Sequence, residues 1–180
     1  MNKIKILILL SFSFALTLSP ACSKLLETID FGFNIRGDFP VPPSIPANIP
    51  FELPTLPVSH NMSKEFEDNG TKAELVKEIR IEYLKLKVEE PIGGDLSFLK
   101  DIEIRLNKDG VGEKLVAWKY DVDDAVGQEL ALEVTPDVLD AYLKSDNFEM
   151  KIKVTTDKVN SKQYKISYDI RTKVKANLPD

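Results

Sequence analysis

The C-terminal part of the chain alternates apolar and polar side chains with a period of two. Between Tyr164 and Ala176 every second residue is apolar, aromatic or small, apart from Thr172, and the residues between them are polar. Successive side chains of a β-strand point to opposite faces, so this pattern predicts a strand with one buried face. Such a strand must bury that face against a second layer of the domain.

The same alternation recurs in six earlier segments, which makes seven predicted strands in all. One-sided burial of each strand is what two packed sheets require. We therefore predict an all-β fold, an antiparallel β-sandwich of about eight strands with one or two short helices. An open barrel that encloses a ligand has the same periodicity and stays an alternative. The six earlier segments are residues 29–35, 79–88, 102–106, 113–122, 130–134 and 148–154.

Local signals divide these strands. Within residues 79–88 the apolar phase slips by one residue, which is the pattern of a β-bulge. Asp109-Gly110 predicts a hairpin turn. Thr71 with Glu74 three residues later, and Thr135-Pro136, each predict the start of a short helix. Most of the chain outside the N-terminal segment is thereby assigned to strands and tight connections.

A proline-rich segment at residues 39–58 interrupts the alternation. It contains seven of the eleven prolines, together with apolar residues such as Ile45 and Leu53. Proline cannot donate a hydrogen bond to a sheet, so the segment must be an edge strand or an extended polyproline-like stretch. Its apolar content favours contact with the domain over free solution. We predict a strap (residues 39–58) lying against the sandwich; a ligand for a proline-binding partner is the alternative.

The N-terminal segment has the features of a secretory signal peptide. Lys3 and Lys5 precede an uncharged apolar run, and small residues precede Cys22, the single cysteine. The run of about thirteen residues spans ~20 Å as a helix, too short for a hydrocarbon core of ~30 Å. A lone cysteine has no disulfide partner within the chain.

Leu18-Ser19-Pro20-Ala21-Cys22 resembles the lipobox of bacterial lipoproteins, in which the cysteine is acylated. The resemblance implies three acyl chains on Cys22, and two or more chains anchor a protein stably. Ser23 is not the aspartate that marks inner-membrane retention, so the outer membrane is implied, on a face that the sequence does not specify. Ser19 and Ala21 also suit ordinary signal peptidase, which would leave a free thiol.

The predicted organisation has three parts. Residues 1–21 form the lipoprotein signal peptide, residues 22–27 the lipidated cysteine and a short tether, and residues 28–180 one β-sandwich domain that includes the strap. Removing the signal peptide takes the formal charge from −5 to −7, since that segment carries two lysines and no acid. This acidic balance argues against a nucleic-acid partner.

The run from Glu74 to Val122 resembles uncharacterised envelope lipoproteins of Gram-negative bacteria that pair a lipobox with a β-sandwich. The similar residues are DLSFLKDIEIRL, from Asp95 to Leu106, and the following GEKLVAWKYDV. The resemblance extends over most of residues 74–176 and involves structural motifs. It implies no catalytic residues, and no enzymatic activity is expected.

Candidate catalytic groups have simpler explanations. His60, the single histidine, stands beside Ser59, but no GxSxG motif accompanies them. Glu89, Glu90 and Asp95 would have to face one cleft to act as a glycosidase pair, and adjacent glutamates of a strand point to opposite faces. We expect a surface histidine and a charged strand end.

Metal and cofactor sites are not expected. Zinc requires nitrogen or sulfur ligands, and the chain has one histidine and a cysteine predicted to be acylated. A weak calcium candidate is the loop around Gly127, although its spacing does not fit an EF-hand. A solvated acidic loop explains the same residues. The candidate ligands are Asp121, Asp123, Asp124 and Glu129.

Trp118 and Tyr120 would form a platform for sugar rings if their strand faced solvent. They share one face of residues 113–122 with Val116 and Val122, which is the pattern of a core. We therefore predict that both aromatic side chains are buried in the packing between the sheets.

The polar sides of the last two strands are rich in cations. On an acidic chain they predict a local basic surface, which would contact anionic lipid, lipopolysaccharide or an acidic glycan. Lysines that keep an exposed sheet soluble and protect its edges explain the same pattern. The residues are Lys151, Lys153, Lys165, Arg171, Lys173 and Lys175.

The sequence thus predicts a membrane-anchored cell-envelope lipoprotein whose sandwich is a non-catalytic binding or structural module. The alternative is a carrier that shelters a lipid or other apolar ligand between its sheets. An interior cavity of several hundred Å³ favours the carrier, and a filled interior favours the module.

Overall fold

The computed structural model describes residues 27–179, so the predicted signal peptide and Cys22 lie outside the described residues. Ten strands account for most of the described chain, and the prediction of an all-β fold is confirmed. The strands are β1 Thr28–Phe31, β2 Asn34–Val41, β3 Phe51–Glu52, β4 Leu56–Ser59, β5 Val76–Glu90, β6 Leu99–Lys108, β7 Gly112–Lys119, β8 Glu129–Val134, β9 Asn147–Thr156 and β10 Tyr164–Asn177.

The strands form two antiparallel sheets. The first sheet has β5 at its centre, between β8 and β10, and β10 pairs on its other side with β1 and β2 in turn. The second sheet runs from β7 through β6 to β9, whose outer edge pairs with β3 and β4. β8 belongs to both, because its first four residues pair with β5 and its last two pair with β7.

The predicted bulge in β5 is confirmed. Arg171 pairs with Tyr83, but the next residue, Thr172, pairs with Ile81, so one residue of β5 has no partner at this point. The slip keeps Ile81 and Leu84 on the same buried face although they are three residues apart. β5 thereby buries its apolar side over its whole length.

Helices occupy one end of the sandwich and are shorter than the sequence suggests. Helix α1 is Met62–Asp68, α2 is Asp140–Leu143, and residues 73–75 form a single 3₁₀ turn. Thr71 does not cap a helix; its hydroxyl donates to the carbonyl of Asn177 at 2.7 Å. Across residues 27–179, none of the helices is both long enough and apolar enough to cross a bilayer.

The two ends of the sandwich differ. Glu27 lies at the end that carries α1, α2 and the hairpin turn at residues 109–111; we call this the near end. The carbonyl of Glu27 accepts a hydrogen bond from the amide of Leu178 at 2.9 Å. The far end is formed by four connections, at residues 42–50, 91–98, 120–128 and 157–163.

Apolar side chains from both sheets fill the space between them. Helix α1 closes the near end with Phe66, which is fully buried and packs edge-on against Phe31 and Phe33, with ring centroids 6.4 and 6.3 Å away. At the far end Phe98 packs against Tyr164, with centroids 4.4 Å apart. Within residues 27–179 no buried side-chain nitrogen or oxygen lacks a hydrogen-bond partner.

The strap connects the two sheets. Its first residues, Phe39 to Val41, continue β2 along β10, and the chain then crosses the far end. It returns along β9 as β3 and β4, where Leu56 pairs with Met150 and the amide of Leu53 donates to the carbonyl of Ile152 at 2.9 Å. The prolines therefore stand on an edge, where a missing N–H leaves no gap in a ladder.

Asn160 holds the strap at the point where it leaves the first sheet. This side chain is buried, and its Oδ1 accepts from the amide of Ile45 at 3.1 Å while its Nδ2 donates to the carbonyl of Pro42 at 2.6 Å. Its own carbonyl accepts from the amide of Ser44 at 2.8 Å. One residue of the 157–163 connection thus binds three positions of the strap.

Replacing Asn160 with alanine should destabilise the domain substantially. The change leaves the buried amide of Ile45 and the partly buried carbonyl of Pro42 without their partner, which costs about 2–4 kcal/mol in the free energy of unfolding. Urea unfolding at 25 °C measures the change. Lys158→Ala, an exposed position in the same connection, is the matched control; equal stability of the two variants would contradict the role of Asn160.

Candidate functional site

The basic residues do not form one surface. β9 belongs to the second sheet and β10 to the first, so the predicted single basic face is wrong. The two strands are consecutive in the chain, but the connection at residues 157–163 crosses from one sheet to the other. Lys151 and Lys153 lie on the outer side of the second sheet, and Lys165, Arg171, Lys173 and Lys175 lie on the outer side of the first.

Acidic partners occupy several of these cations. The ammonium of Lys165 lies 3.4 Å from Asp38, and the guanidinium of Arg171 lies 3.8 Å from Glu82. On the second sheet Lys151 forms an ion pair with Glu113. These surfaces are therefore mixed in charge, which is typical of a soluble sheet face. Binding to an anionic surface stays a prediction from the sequence.

The acidic loop between β7 and β8 does not gather its carboxylates. Asp123 accepts a hydrogen bond from the amide of Ala125 at 2.8 Å, and the amide of Asp121 donates to Asp101 at 3.1 Å. In the part of the chain that the structure describes, no group of three or more acidic, histidine or cysteine side chains is placed to hold a metal ion. The four candidate calcium ligands are not brought together.

The carboxylates near the end of β5 are stabilised as anions. The hydroxyl of Ser167 donates to Glu89 at 2.8 Å and lowers the pKa of its carboxyl. Hydrogen bonds from Ser97 likewise lower the pKa of Asp95. A general acid in glycoside hydrolysis needs a raised pKa. Neither Glu89 nor Asp95 has one, so these two carboxyls do not suit that role.

His60 has a structural environment at the near end. Its ring stacks on Phe33 at a centroid distance of 5.6 Å, and its Nε2 lies 3.2 Å from a carboxylate oxygen of Glu65. The neighbouring hydroxyl of Ser59 donates instead to Asn147 at 2.6 Å. The histidine thus packs the start of α1 against Phe33, in the connection between β1 and β2.

Trp118 and Tyr120 lie on the outer surface of the second sheet, and the prediction that they are buried is wrong. The pairing of β6 with β7 slips between Ile104 and Arg105, so Val116 is an extra residue in β7. Val116 and Ala117 are therefore both buried, and Trp118 turns outward. Because both sides of this segment are apolar, the sequence did not show the slip.

Carboxylates on the neighbouring strands hold the polar edges of the two rings. The indole Nε1–H of Trp118 donates to Glu133 on β8 at 3.1 Å. The hydroxyl of Tyr120 donates to Glu103 on β6 at 3.1 Å, and 46% of Tyr120 is exposed. Trp118 is half-buried between these strands, so both rings keep part of their surface accessible to solvent.

We call this region the aromatic face. A row of paired positions crosses it at Trp118, from Glu133 on β8 through Glu103 on β6 to Lys153 on β9. Arg105 donates to Glu103 at 2.7 Å, and Lys119 lies 3.4 Å from Glu133. The aromatic face comprises Trp118 and Tyr120 with the carboxylates Asp101, Glu103 and Glu133 and the cations Arg105, Lys119 and Lys153.

Comparisons with known proteins assign no family. No protein-family model matches the chain, and no curated protein matches it. Among solved structures, a chain from Desmodium yellow mottle tymovirus aligns over 86% of this chain and 90% of its own length, with 6% sequence identity and a TM-score of 0.27. A likeness at that score and identity carries no argument about function.

The contact between Tyr120 and Glu103 should be visible in the ionisation of the phenol. Partial burial raises the pKa of Tyr120, and the hydrogen bond to the negative carboxylate raises it further, because the neutral hydroxyl is the donor. Glu103→Gln removes the negative charge, so the pKa of Tyr120 should fall toward the ordinary value of about 10. A pH titration of the tyrosine Cζ resonances by NMR measures the change.

Two tyrosines away from this contact are internal controls. Burial is the main cause that raises the pKa of Tyr164 and of Tyr168, and neither value should move in the Glu103→Gln variant. An unchanged pKa of Tyr120 would show that its hydroxyl does not contact Glu103 in solution.

Proposed function

We propose that this chain is a membrane-anchored cell-envelope lipoprotein whose β-sandwich is a non-catalytic module that acts through its outer surface. The filled interior is the observation that carries the choice of surface action over a carrier, while the anchor rests on the lipobox-like residues before Cys22. Apolar side chains of both sheets occupy the space where a carrier would hold its ligand. A ligand or partner of a sandwich packed in this way binds outside the sheets.

The clefts of the domain support surface action over transport of an apolar ligand. A cleft of about 490 Å³ opens on the outer side of the first sheet, where Lys85, Glu129 and Ser167 contribute to its walls. Another, of about 410 Å³, lies beside β4 with Asn107 and Glu149 in its lining. A lipid carrier needs an enclosed cavity, whereas both of these clefts are open to solvent.

The position of Glu27 supports an orientation of the module on a membrane. Cys22 precedes Glu27 by five residues, which reach at most about 18 Å. Acylated Cys22 would therefore hold the near end against the bilayer. The fourteen residues of β10 span about 45 Å, so the far end would project well beyond the lipid headgroups. The outer membrane is the proposed location, on either face.

The anchor is tested by the intact mass of the N-terminal peptide isolated from membranes. We expect Cys22 to carry a diacylglycerol-type mass increment and the protein to fractionate with membranes. Cys22→Ala should lose both, because no other part of the proposed anchor remains once the signal peptide is cut.

Ser23→Ala is the matched control, since it alters the neighbouring residue and leaves the acylation site. It should keep the mass increment and the membrane fraction. An unmodified Cys22 in the native protein would reject the lipoprotein assignment, while a stoichiometric lipid bound inside the Cys22→Ala protein would favour the carrier.

A further inference from the structure

We propose that the aromatic face binds a neutral glycan, with sugar rings stacked on Trp118 and Tyr120. The inference rests on the proposed surface-acting module and specifies its ligand class. Tyr120 directly follows β7 and stands two residues after Trp118, so their Cα atoms lie about 6.6 Å apart and both side chains contact carboxylates on the outer side of the second sheet. Two aromatic rings at this spacing offer two neighbouring stacking positions to the units of an extended chain.

The fixed orientation of the rings favours stacking. A free surface aromatic loses side-chain entropy when a ligand orders it. Here the hydrogen bonds from Trp118 to Glu133 and from Tyr120 to Glu103 already restrict both side chains. The platform is therefore largely organised before a ligand arrives. C–H groups on the apolar side of a pyranose can then pack against the accessible parts of the two rings.

The polar groups of the aromatic face suit hydroxyl ligands. Glu103 binds Tyr120 with one oxygen and Arg105 with the other, and each carboxylate oxygen keeps a second lone pair for an additional donor. Arg105 supplies further N–H groups. A sugar hydroxyl both donates and accepts, so adjacent carboxylate and guanidinium groups can bind neighbouring hydroxyls of one ring.

The charge of the aromatic face favours a neutral glycan over an anionic one. Three carboxylates and three cations surround the rings, which gives formal balance. The carboxylates Glu103 and Glu133 contact the two aromatic side chains directly, while Lys153 stands one strand farther away, opposite Glu52 as well as Glu103. An acidic sugar on the platform would meet the carboxylates first and would be repelled.

The position of Tyr120 also fits a ligand that lies beyond the lipid headgroups, away from the bilayer. It follows the end of β7 at the far end, opposite to Glu27. If Cys22 holds the near end at the bilayer, the platform runs along the sandwich and away from the lipid. A glycan chain lying beside the membrane could reach it without contact with the headgroups.

Trp118 is the single tryptophan, so its fluorescence reports this site without interference. The full-length protein is purified in a polyoxyethylene detergent, because a detergent with a sugar headgroup would compete. It is titrated with the tetramers of N-acetylglucosamine, cellulose and maltose, and with tetragalacturonate, which carries a carboxylate on each sugar. We expect at least one neutral tetramer to change the emission saturably, and tetragalacturonate to bind at least tenfold more weakly.

Calorimetry with the best neutral tetramer then compares variants. Trp118→Ala and Tyr120→Ala should each weaken binding by about tenfold, the factor that corresponds to loss of ~1.4 kcal/mol. Tyr83→Ala is the matched control, since Tyr83 pairs with Arg171 on the outer side of the first sheet and should leave affinity unchanged. Tyr120 is 46% exposed and lies outside the core, so its variant should fold even if the tryptophan variant does not.

Three results overturn the inference: no neutral tetramer binds, the Tyr120→Ala variant binds as well as the parent, or tetragalacturonate binds as tightly as the neutral chains. Its failure is separable from failure of the lipoprotein proposal. An acylated Cys22 without glycan binding rejects only the ligand, and glycan binding with an unmodified Cys22 supports the ligand while rejecting the anchor.

Discussion

The pairing of β7 with β8 is the interaction on which the two-sheet arrangement depends. Only Ala117 and Trp118 pair with β8, opposite Val134 and Glu133, and the amide of Thr135 adds a hydrogen bond to the carbonyl of Val116 at 3.0 Å. Through these contacts β8 leaves the first sheet and joins the second. The bulge at Val116 places two consecutive apolar residues inward at this corner, so the core stays continuous where the sheets meet.

The strap closes the opposite side of the sandwich without a continuous ladder. β2 and β4 are outer strands of the two sheets. The chain between them crosses the far end, where the side chain of Asn160 forms hydrogen bonds with Pro42 and Ile45. Helix α1 then covers the gap at the near end with Phe66. Buried apolar residues of the strap, such as Ile45 and Val58, complete the core, and its prolines discourage pairing with other chains at an edge.

A filled sandwich moves any binding function to the surface. The two outer sides differ in chemistry: the first sheet interleaves lysines and acids, whereas the second presents Trp118 and Tyr120 held by carboxylates. The proposed glycan platform follows from that difference. Anchoring at the near end would leave the platform accessible at the other end of the domain. The proposed location is therefore compatible with the proposed ligand.

The sequence by itself determined the all-β class and the bulge in β5, because one-sided burial leaves a period-two pattern with a visible slip. It did not determine strand adjacency or the outward turn of Trp118. β9 and β10 follow each other in the chain yet lie in different sheets, so their lysines lie on two separate surfaces. The phase of β7 depends on a slip at Val116, where both sides of the strand are apolar and alternation carries no information. Tertiary pairing decided both, since only hydrogen bonds to β6 and β8 select which side faces solvent.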